Sequence, residues 1–307
     1  MVCAEICADR GLGRMRNRGV NEIKQLFDKY GFRFSKSMGQ NFLIDGNIPE
    51  KMVRLSGISK SDCALEVGPG IGALTEYLSK AAGRVVAVEL DRRLTPLLRD
   101  LTAELTNVEI IQGDILKLDL KKLAEEKMRG FRHCVCANLP YNITTPALTA
   151  FIGAGVFEDI TVMIQREVAR RVCAGPGSPD YGAFSVYVNY HAEPRILFDV
   201  PPECFMPKPA VYSSVLSMKM REGRMLAPEE ETAFFRVVRA AFQQRRKTLV
   251  NAMRAVYENT LSKEELTGVV EQCGLDARVR GEVLGIEEFV RITRAVMGVE
   301  IQTGKRS

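Results

Sequence analysis

Residues 138–141 read Asn-Leu-Pro-Tyr, and upstream of them the chain carries a glycine-rich turn, Glu66-Val-Gly68-Pro-Gly70-Ile-Gly72. The tetrapeptide offers what the exocyclic amine of a nucleic acid base needs if it is to become a nucleophile. In adenine the N6 lone pair is delocalised into the ring. Attack on a sulfonium methyl requires that pair to localise on a nitrogen moving toward tetrahedral geometry. Two acceptors aimed at the two N–H bonds favour this change more than they favour the planar ground state, which is the condition for catalysis. The Asn138 side-chain oxygen is one acceptor and the Leu139 carbonyl the other, with Pro140 fixing the local backbone. Tyr141 can stack on the base and set its plane. No general base is required, because the methylated amine is acidic and loses its proton afterwards. A histidine-driven mechanism has little material, since His133 and His191 are the only histidines.

A strand end followed by a turn would use the same four residues. Cys134-Val-Cys136-Ala137 reads as a short buried strand, however, so the motif falls at a strand's C-terminal end, where open α/β sheets bind ligands. The glycine turn sits in the same kind of place. Asp62–Val67 reads as an apolar strand, residues 75–82 as a helix and Arg84–Glu89 as the next strand. Gly68 and Gly70 stand where backbone must approach a ligand closely. Glu89 lies 21 residues after Gly68, at a strand end where a carboxylate can accept both hydroxyls of a ribose.

Gly68, Gly70 and Ala73 also satisfy the G-x-G-x-x-A pattern of dinucleotide binding. The next strand favours a methionine-derived nucleoside instead. Residues 110–114 read Ile-Ile-Gln-Gly-Asp, placing Asp114 to bond an adenine amine, although an Asx-turn would use the same residue. A dehydrogenase would also want an acid or base near its hydride centre, and Asn-Leu-Pro-Tyr supplies none. The expected reaction is methyl transfer from S-adenosylmethionine to an amino nitrogen of a base.

From about Ile23 to Val296 the chain resembles the KsgA (RsmA) family of small-subunit ribosomal RNA adenine dimethyltransferases. Besides the two motifs above, Ser37-Met-Gly39-Gln40-Asn41-Phe42-Leu43 is similar to the family's segment that wraps the cofactor. Residues 165–171 and 176–182 resemble a helix and loop beside the catalytic pocket. Residues 200–215, with Phe205-Met-Pro-Lys-Pro209, resemble the substrate-side segment. Residues 242–249, Phe-Gln-Gln-Arg-Arg-Lys-Thr-Leu, resemble a basic stretch of the C-terminal domain. The resemblance implies a Rossmann-like S-adenosylmethionine-dependent methyltransferase domain with a small all-helical C-terminal domain. It implies four methyl transfers to two adjacent adenosines in a hairpin loop near the 3′ end of small-subunit rRNA, and a role in 30S biogenesis. Cofactor contacts carry over onto Asn41, Leu43, Gly68, Glu89, Asp114 and Asn138, beside Gly70 of the turn. The base pocket carries over onto Asn138, Leu139, Pro140, Tyr141 and Phe205, with Phe205 stacking opposite Tyr141. On that expectation Phe205→Ala slows methylation and leaves cofactor affinity nearly unchanged. The chain departs from the family at Pro179 and Asp180, and again at Val250, where basic residues are expected. Either change would weaken an RNA phosphate contact.

The 307 residues suffice for a large domain and a small one, expected here as 21–223 and 224–307 after an N-terminal extension of residues 1–20. Met15 is a candidate start. The alternation of strand and helix from about residue 50 to 220 argues a mostly parallel, doubly wound sheet, with later strands at 159–164, 184–190 and 214–220. From Pro228 onward the pattern is helical, and Ser262 with Glu265 has capping-box form. A net charge of +5 is modest, but residues 236–254 hold six Lys/Arg and no acid, on a segment with helical spacing. One face would pack and the other meet phosphates.

No apolar run approaches a membrane span, and the N-terminus lacks the form of a secretory signal. The eight cysteines form no C-x-x-C pair, so reduced thiols, a cytoplasmic setting and no metal are expected. A monomer with no DNA partner is expected as well. Three rivals stand beside this reading. One is a large-subunit rRNA methyltransferase of the macrolide-resistance kind, and another a DNA adenine methyltransferase. The third is an assembly factor whose methylation is incidental.

Overall fold

The computed structural model describes residues 20–33 and 40–302. Cys3, Cys7, Met15 and Ser37-Met38-Gly39 lie outside the described residues, as does the expected extension apart from Val20, which opens the first helix. Contacts divide the chain into two units. One holds residues up to Ala169 together with Arg195–Met220, the other Arg170–Pro194 with the residues from Arg221 on. The sequence assigns 170–194 to the larger domain, whereas its side chains pack with the helical unit.

The first unit begins with α1 (Val20–Lys29), β1 (Phe42–Leu43) and α2 (Asn47–Ser56). Strand and helix then alternate through β2 (Asp62–Val67), α3 (Ala73–Ala81), β3 (Arg84–Glu89), α4 (Thr95–Thr102), β4 (Val108–Gln112) and α5 (Leu120–Lys127). The alternation continues with β5 (Arg132–Asn138), α6 (Thr144–Ala154) and β6 (Asp159–Gln165), the last followed directly by α7 (Arg166–Cys173). Beyond α8 (Ala183–His191) come β7 (Ala192–Val200), β8 (Phe205–Met206) and β9 (Ser213–Met220). The main sheet runs β4-β3-β2-β5-β6-β9-β7, and β1 pairs with β8 in a separate ribbon. Strands β4, β3, β2, β5 and β6 are mutually parallel, and β9 is antiparallel to β6. The order reverses between β2 and β5, so the glycine turn and Asn138 end adjacent strands at the switch point where such sheets bind ligands.

Both faces of the sheet's centre are covered, so β2, β3, β5 and β6 read as apolar runs rather than alternating ones, while the outer β4 and β7 are less buried. Every residue of β2 is buried. At the opposite end from the site an ion cluster ties three strands together. Arg132 of β5 donates from Nε to Asp62 of β2 at 2.6 Å and from Nη1 to Asp159 of β6 at 2.5 Å. Burial works against ionisation of Asp62, yet Arg132 and Ser59 hold its carboxyl below the usual range.

The second unit contains α9 (Pro228–Gln243), α10 (Leu249–Tyr257), α11 (Lys263–Gln272) and α12 (Ile286–Gln302). Their shared core includes Phe234, Val238, Met253, Val270, Phe289 and Ile292. The expected capping box forms at α11. Ser262 Oγ accepts from the Glu265 N–H at 3.1 Å, and Glu265 Oε2 accepts from the Ser262 N–H at 2.6 Å.

Residues 184–190, expected as a strand, lie inside helix α8. Phe184, Val186, Val188 and Tyr190 alternate as a strand does, but Val186 and Tyr190 also stand four apart on one helix face. Both are buried in the helical core, with the Tyr190 ring 5.0 Å from that of Phe234. Ser185 fixes the helix start by accepting from the Gly182 N–H at 3.1 Å. Tertiary burial therefore overrides β propensity here. Tyr190→Ala should destabilise the protein by about 3–5 kcal/mol, measured by urea denaturation. A loss below about 1 kcal/mol would contradict the docking of α8 described here.

Candidate functional site

The C-terminal ends of β2, β3, β4 and β5 open onto a cavity of about 380 Å³, within the range of small-molecule sites. Among the residues expected to bind cofactor, Asn41, Leu43, Gly68, Gly70, Glu89, Asp114 and Asn138 all line it. Leu139, Pro140 and Tyr141 line it too. Phe205 does not.

The glycines answer to geometry. Gly68 and Gly70 sit at φ +67° and +61°, where a side chain is strained. A Cβ at Gly70 would also lie 3.0 Å from the Phe42 ring. Glu89, at the end of β3, accepts from the Gly70 N–H at 3.2 Å and the Asp91 N–H at 2.7 Å. Burial raises the Glu89 carboxyl above its ordinary value, with these two amides opposing. Asp91 is held the other way, chiefly by Arg93, whose Nη2 approaches its Oδ2 to 2.6 Å.

Glu66 was quoted as part of the turn but given no role by the sequence. It is 2% exposed, it lines the cavity, and its Oε2 has no hydrogen-bond partner. Burial pushes its carboxyl up to about 8, with Thr75 opposing and Glu89 adding to the rise. A buried acceptor without a donor is costly. A cation placed in the cavity would remove that cost. The sequence signal was an acid at the end of an apolar strand, which its place beside the glycines concealed.

The tetrapeptide is held by the sheet. The Leu139 N–H donates to the Met163 carbonyl at 3.1 Å. The Pro140 carbonyl is taken by the Ile143 N–H at 3.1 Å and the Thr144 hydroxyl at 3.4 Å. That leaves the Leu139 carbonyl as a candidate acceptor. Asn138 Nδ2 donates to the Asn41 carbonyl at 3.3 Å, which fixes the amide and leaves Oδ1 as its acceptor. The Tyr141 hydroxyl lies 2.7 Å from the hydroxyl of buried Ser213. Burial raises the Tyr141 phenol above its ordinary value, with Ser213 opposing, so the ring remains neutral.

Residues 40–44 cross the cavity as a strap. Gln40 Nε2 donates to Asp91 at 3.0 Å, Asn41 meets Asn138, and the Ile44 N–H donates to the Cys204 carbonyl at 2.9 Å. Phe42 and Leu43 pair with Met206 and Phe205 in the β1–β8 ribbon. Phe205 is 3% exposed, and its ring joins Leu43, Met52 and Val53 in an apolar cluster. In this structure the Phe205 ring belongs to that cluster with Leu43 of the strap and does not line the cavity. The sequence could not separate the roles, since a ring beside a pocket and a ring on its wall share the same pattern. Asp114 also engages its own turn. Its Oδ1 accepts from the Leu116 N–H at 3.1 Å and its Oδ2 lies 3.7 Å from Lys117 Nζ.

In the helical unit the basic stretch is not one helix. It breaks between Gln243 and Leu249. Arg236 pairs with Glu300 at 2.5 Å, while Arg245 donates to the Pro179 carbonyl at 3.0 Å. Arg246 and Lys247 are exposed. Val250 is 3% exposed in the helical core, so a departure there alters packing rather than a phosphate contact.

Fold and site together define a Rossmann-like methyltransferase with a nucleoside cofactor. Residues 31–295 match the model of the ribosomal RNA adenine dimethylase family, and the chain belongs to that family. It is 45% identical over 270 residues to the ribosomal RNA small subunit methyltransferase A of Lachnoclostridium phytofermentans, covering 87% of this chain and 93% of that protein. With the protein of the same name from Alkaliphilus oremlandii it shares 46% over 269 residues, covering 87% and 93%. A dimethyladenosine transferase structure from Plasmodium falciparum superposes with a TM-score of 0.71 at 22% identity, covering 84% of this chain and 98% of that one. The structure of a 23S rRNA methyltransferase gives 0.66 at 21%, covering 84% and 100%. These two similarities support the fold alone. S-adenosylmethionine, the cofactor of this family, carries an ammonium and a sulfonium. The unpartnered Glu66 oxygen on the cavity wall fits a ligand with such cationic groups.

Two tests follow from the site. A Glu66 carboxyl held protonated in the native chain stabilises it in full below its ordinary value of 4.5, and this is lost as pH rises through about 8. The melting temperature of the cofactor-free protein should therefore fall across that window, and Glu66→Gln should flatten the fall. Equal pH slopes in both proteins would count against a protonated Glu66. For Phe205→Ala, the packing predicts a loss of about 3–5 kcal/mol in stability together with weaker cofactor affinity. Slower methylation at unchanged stability and affinity, measured by denaturation and calorimetry, would restore the stacking role.

Proposed function

We propose that the protein transfers four methyl groups from S-adenosylmethionine to the N6 amines of two adjacent adenosines near the 3′ end of small-subunit rRNA. The substrate is the 30S subunit or its precursor. The observation that carries this reading is the Asn138 amide, fixed by Asn41 on the cavity wall beside the Leu139 carbonyl and the Tyr141 ring.

When bound, the cofactor supplies an electrophilic methyl on a sulfonium. Glu89 accepts the ribose hydroxyls, Asp114 the adenine amine and Glu66 the ammonium, while Asn41 and Leu43 cover the nucleoside. Gly68 and Gly70 allow the backbone its close approach. Tyr141 stacks on the extruded adenine. Asn138 Oδ1 and the Leu139 carbonyl accept its two N–H bonds and localise the lone pair. Proton loss follows methylation, so no general base is required. In the helical unit, exposed Arg246 and Lys247 meet RNA phosphates, a salt-dependent contribution. Nothing resembles a separate DNA-reading domain, and we read the protein as a cytoplasmic monomer. No helix among the described residues is long and apolar enough to cross a membrane.

The test is transfer of radiolabelled methyl groups to 30S subunits lacking these modifications, with 50S subunits and duplex DNA alongside. Dimethyladenosine from 30S alone is expected. Label in 50S would make this a large-subunit enzyme, and label in DNA a DNA methyltransferase. Asn138→Ala should lower incorporation by at least about 100-fold, as loss of a transition-state acceptor does, while 30S binding persists. Full activity in that variant would remove Asn138 from the chemistry.

A further inference from the structure

Two residues at the same end of the sheet stand outside the site described above. Strand β6 ends at Gln165, which lies opposite Ser213 of β9. The next residues on each strand, Arg166 and Tyr212, meet beyond that end. The Arg166 N–H donates to the Tyr212 carbonyl at 3.0 Å, and its guanidinium lies 4.5 Å from the centroid of the Tyr212 ring. Tyr212 is nevertheless 43% exposed. Among the described residues the acid that Arg166 reaches is Asp199, at a long 3.8 Å, so that ion pair compensates its charge weakly.

The position matters. Tyr212 directly precedes Ser213, whose hydroxyl holds Tyr141 at 2.7 Å. Asn138 lies opposite Met163 of β6, two residues before Gln165. The shelf is therefore one strand across and two residues along from the catalytic amide, roughly 5 Å and 7 Å in those directions. That is a distance a neighbouring nucleotide can span. When the target adenine leaves its stack for the pocket, the adjacent base loses a stacking partner. An exposed aromatic ring backed by a guanidinium is how proteins replace one on a single strand.

We infer that Arg166 and Tyr212 form a stacking shelf for the nucleobase next to the target adenosine, with the ring taking the base and the guanidinium drawing the adjoining phosphate. This rests on the function proposed above. Tyr212 binds substrate and takes no part in the methyl transfer itself.

The test compares wild type, Tyr212→Ala and Tyr212→Phe on unmethylated 30S subunits, together with cofactor affinity by calorimetry and melting temperature. Tyr212→Ala should lose about tenfold or more in kcat/KM, as removal of a stacking ring does. Cofactor affinity and melting temperature should hold, and Tyr212→Phe, which keeps the ring, should recover most of the loss. Wild-type kcat/KM in Tyr212→Ala would overturn the shelf. So would a matching fall in cofactor affinity or melting temperature, which would make Tyr212 a prop for Ser213 and Tyr141. A Phe variant as impaired as the Ala variant would assign the effect to the hydroxyl. If wild type labels no 30S RNA, the proposed function fails first and this inference with it.

Discussion

The parallel register of β2 against β5 is the constraint on which the site depends. Leu65 lies opposite Val135, so the chain three residues on places Gly68 beside Asn138. The glycine turn and the Asn138 amide thus leave neighbouring strands at the same level. A slip of one residue would reverse the faces of an entire strand and separate the two. Register is secured far from the chemistry, where Arg132 joins Asp62 and Asp159 across three strands. Strand pairing itself is generic. The ion cluster, with one guanidinium and two carboxylates each fixed on its own strand, distinguishes this alignment from its neighbours.

Electrostatics at the other end follow from the same arrangement. Adjacent parallel strands ending together bring Glu66 and Glu89 to one cavity with little water. Burial raises both, and the charge of Glu89 adds to the rise at Glu66. Asp91, beside them, stays ionised because Arg93 grips it. The three acids are thus pushed in different directions by their surroundings, Glu66 and Glu89 upward by burial and Asp91 downward by Arg93. A cation in the cavity would favour the ionised form of Glu66, which lines it.

Much of this was legible in the sequence because the determinants are local. Glycines with positive φ, acids at strand ends and apolar runs bounded by turns each report on their own few residues. The strand ends carrying Glu89, Asp114 and Asn138 were placed that way. What escaped depends on burial by distant residues. Helix α8 was read as a strand because its alternating aromatic and β-branched residues fit either period, and the choice is made by Phe234 and its neighbours. The burial of Phe205 is another such case, since nothing local says that it joins the apolar cluster of Leu43, Met52 and Val53. Val250 was read as a lost phosphate contact, although its helix turns it inward.

The strap shows why the site needed more than a sheet. Strand ends are rigid and can hold the turn and the amide, but they cover a ligand from one side only. Residues 40–44 supply the other side, and three of their polar contacts reach different supports: Asp91 after β3, Asn138 of β5 and the Cys204 carbonyl before β8. The two-residue ribbon with β8 is too short to be stable by itself. Its stability is borrowed from Phe42, packed at 5.3 Å from Phe27 and 5.8 Å from Phe32, and from Phe205 beneath Leu43. Asn138 therefore carries two duties at once. Its Nδ2 closes the strap onto the Asn41 carbonyl while its Oδ1 stays available as an acceptor on the cavity wall, so one amide ties the cover to the strand end beneath it.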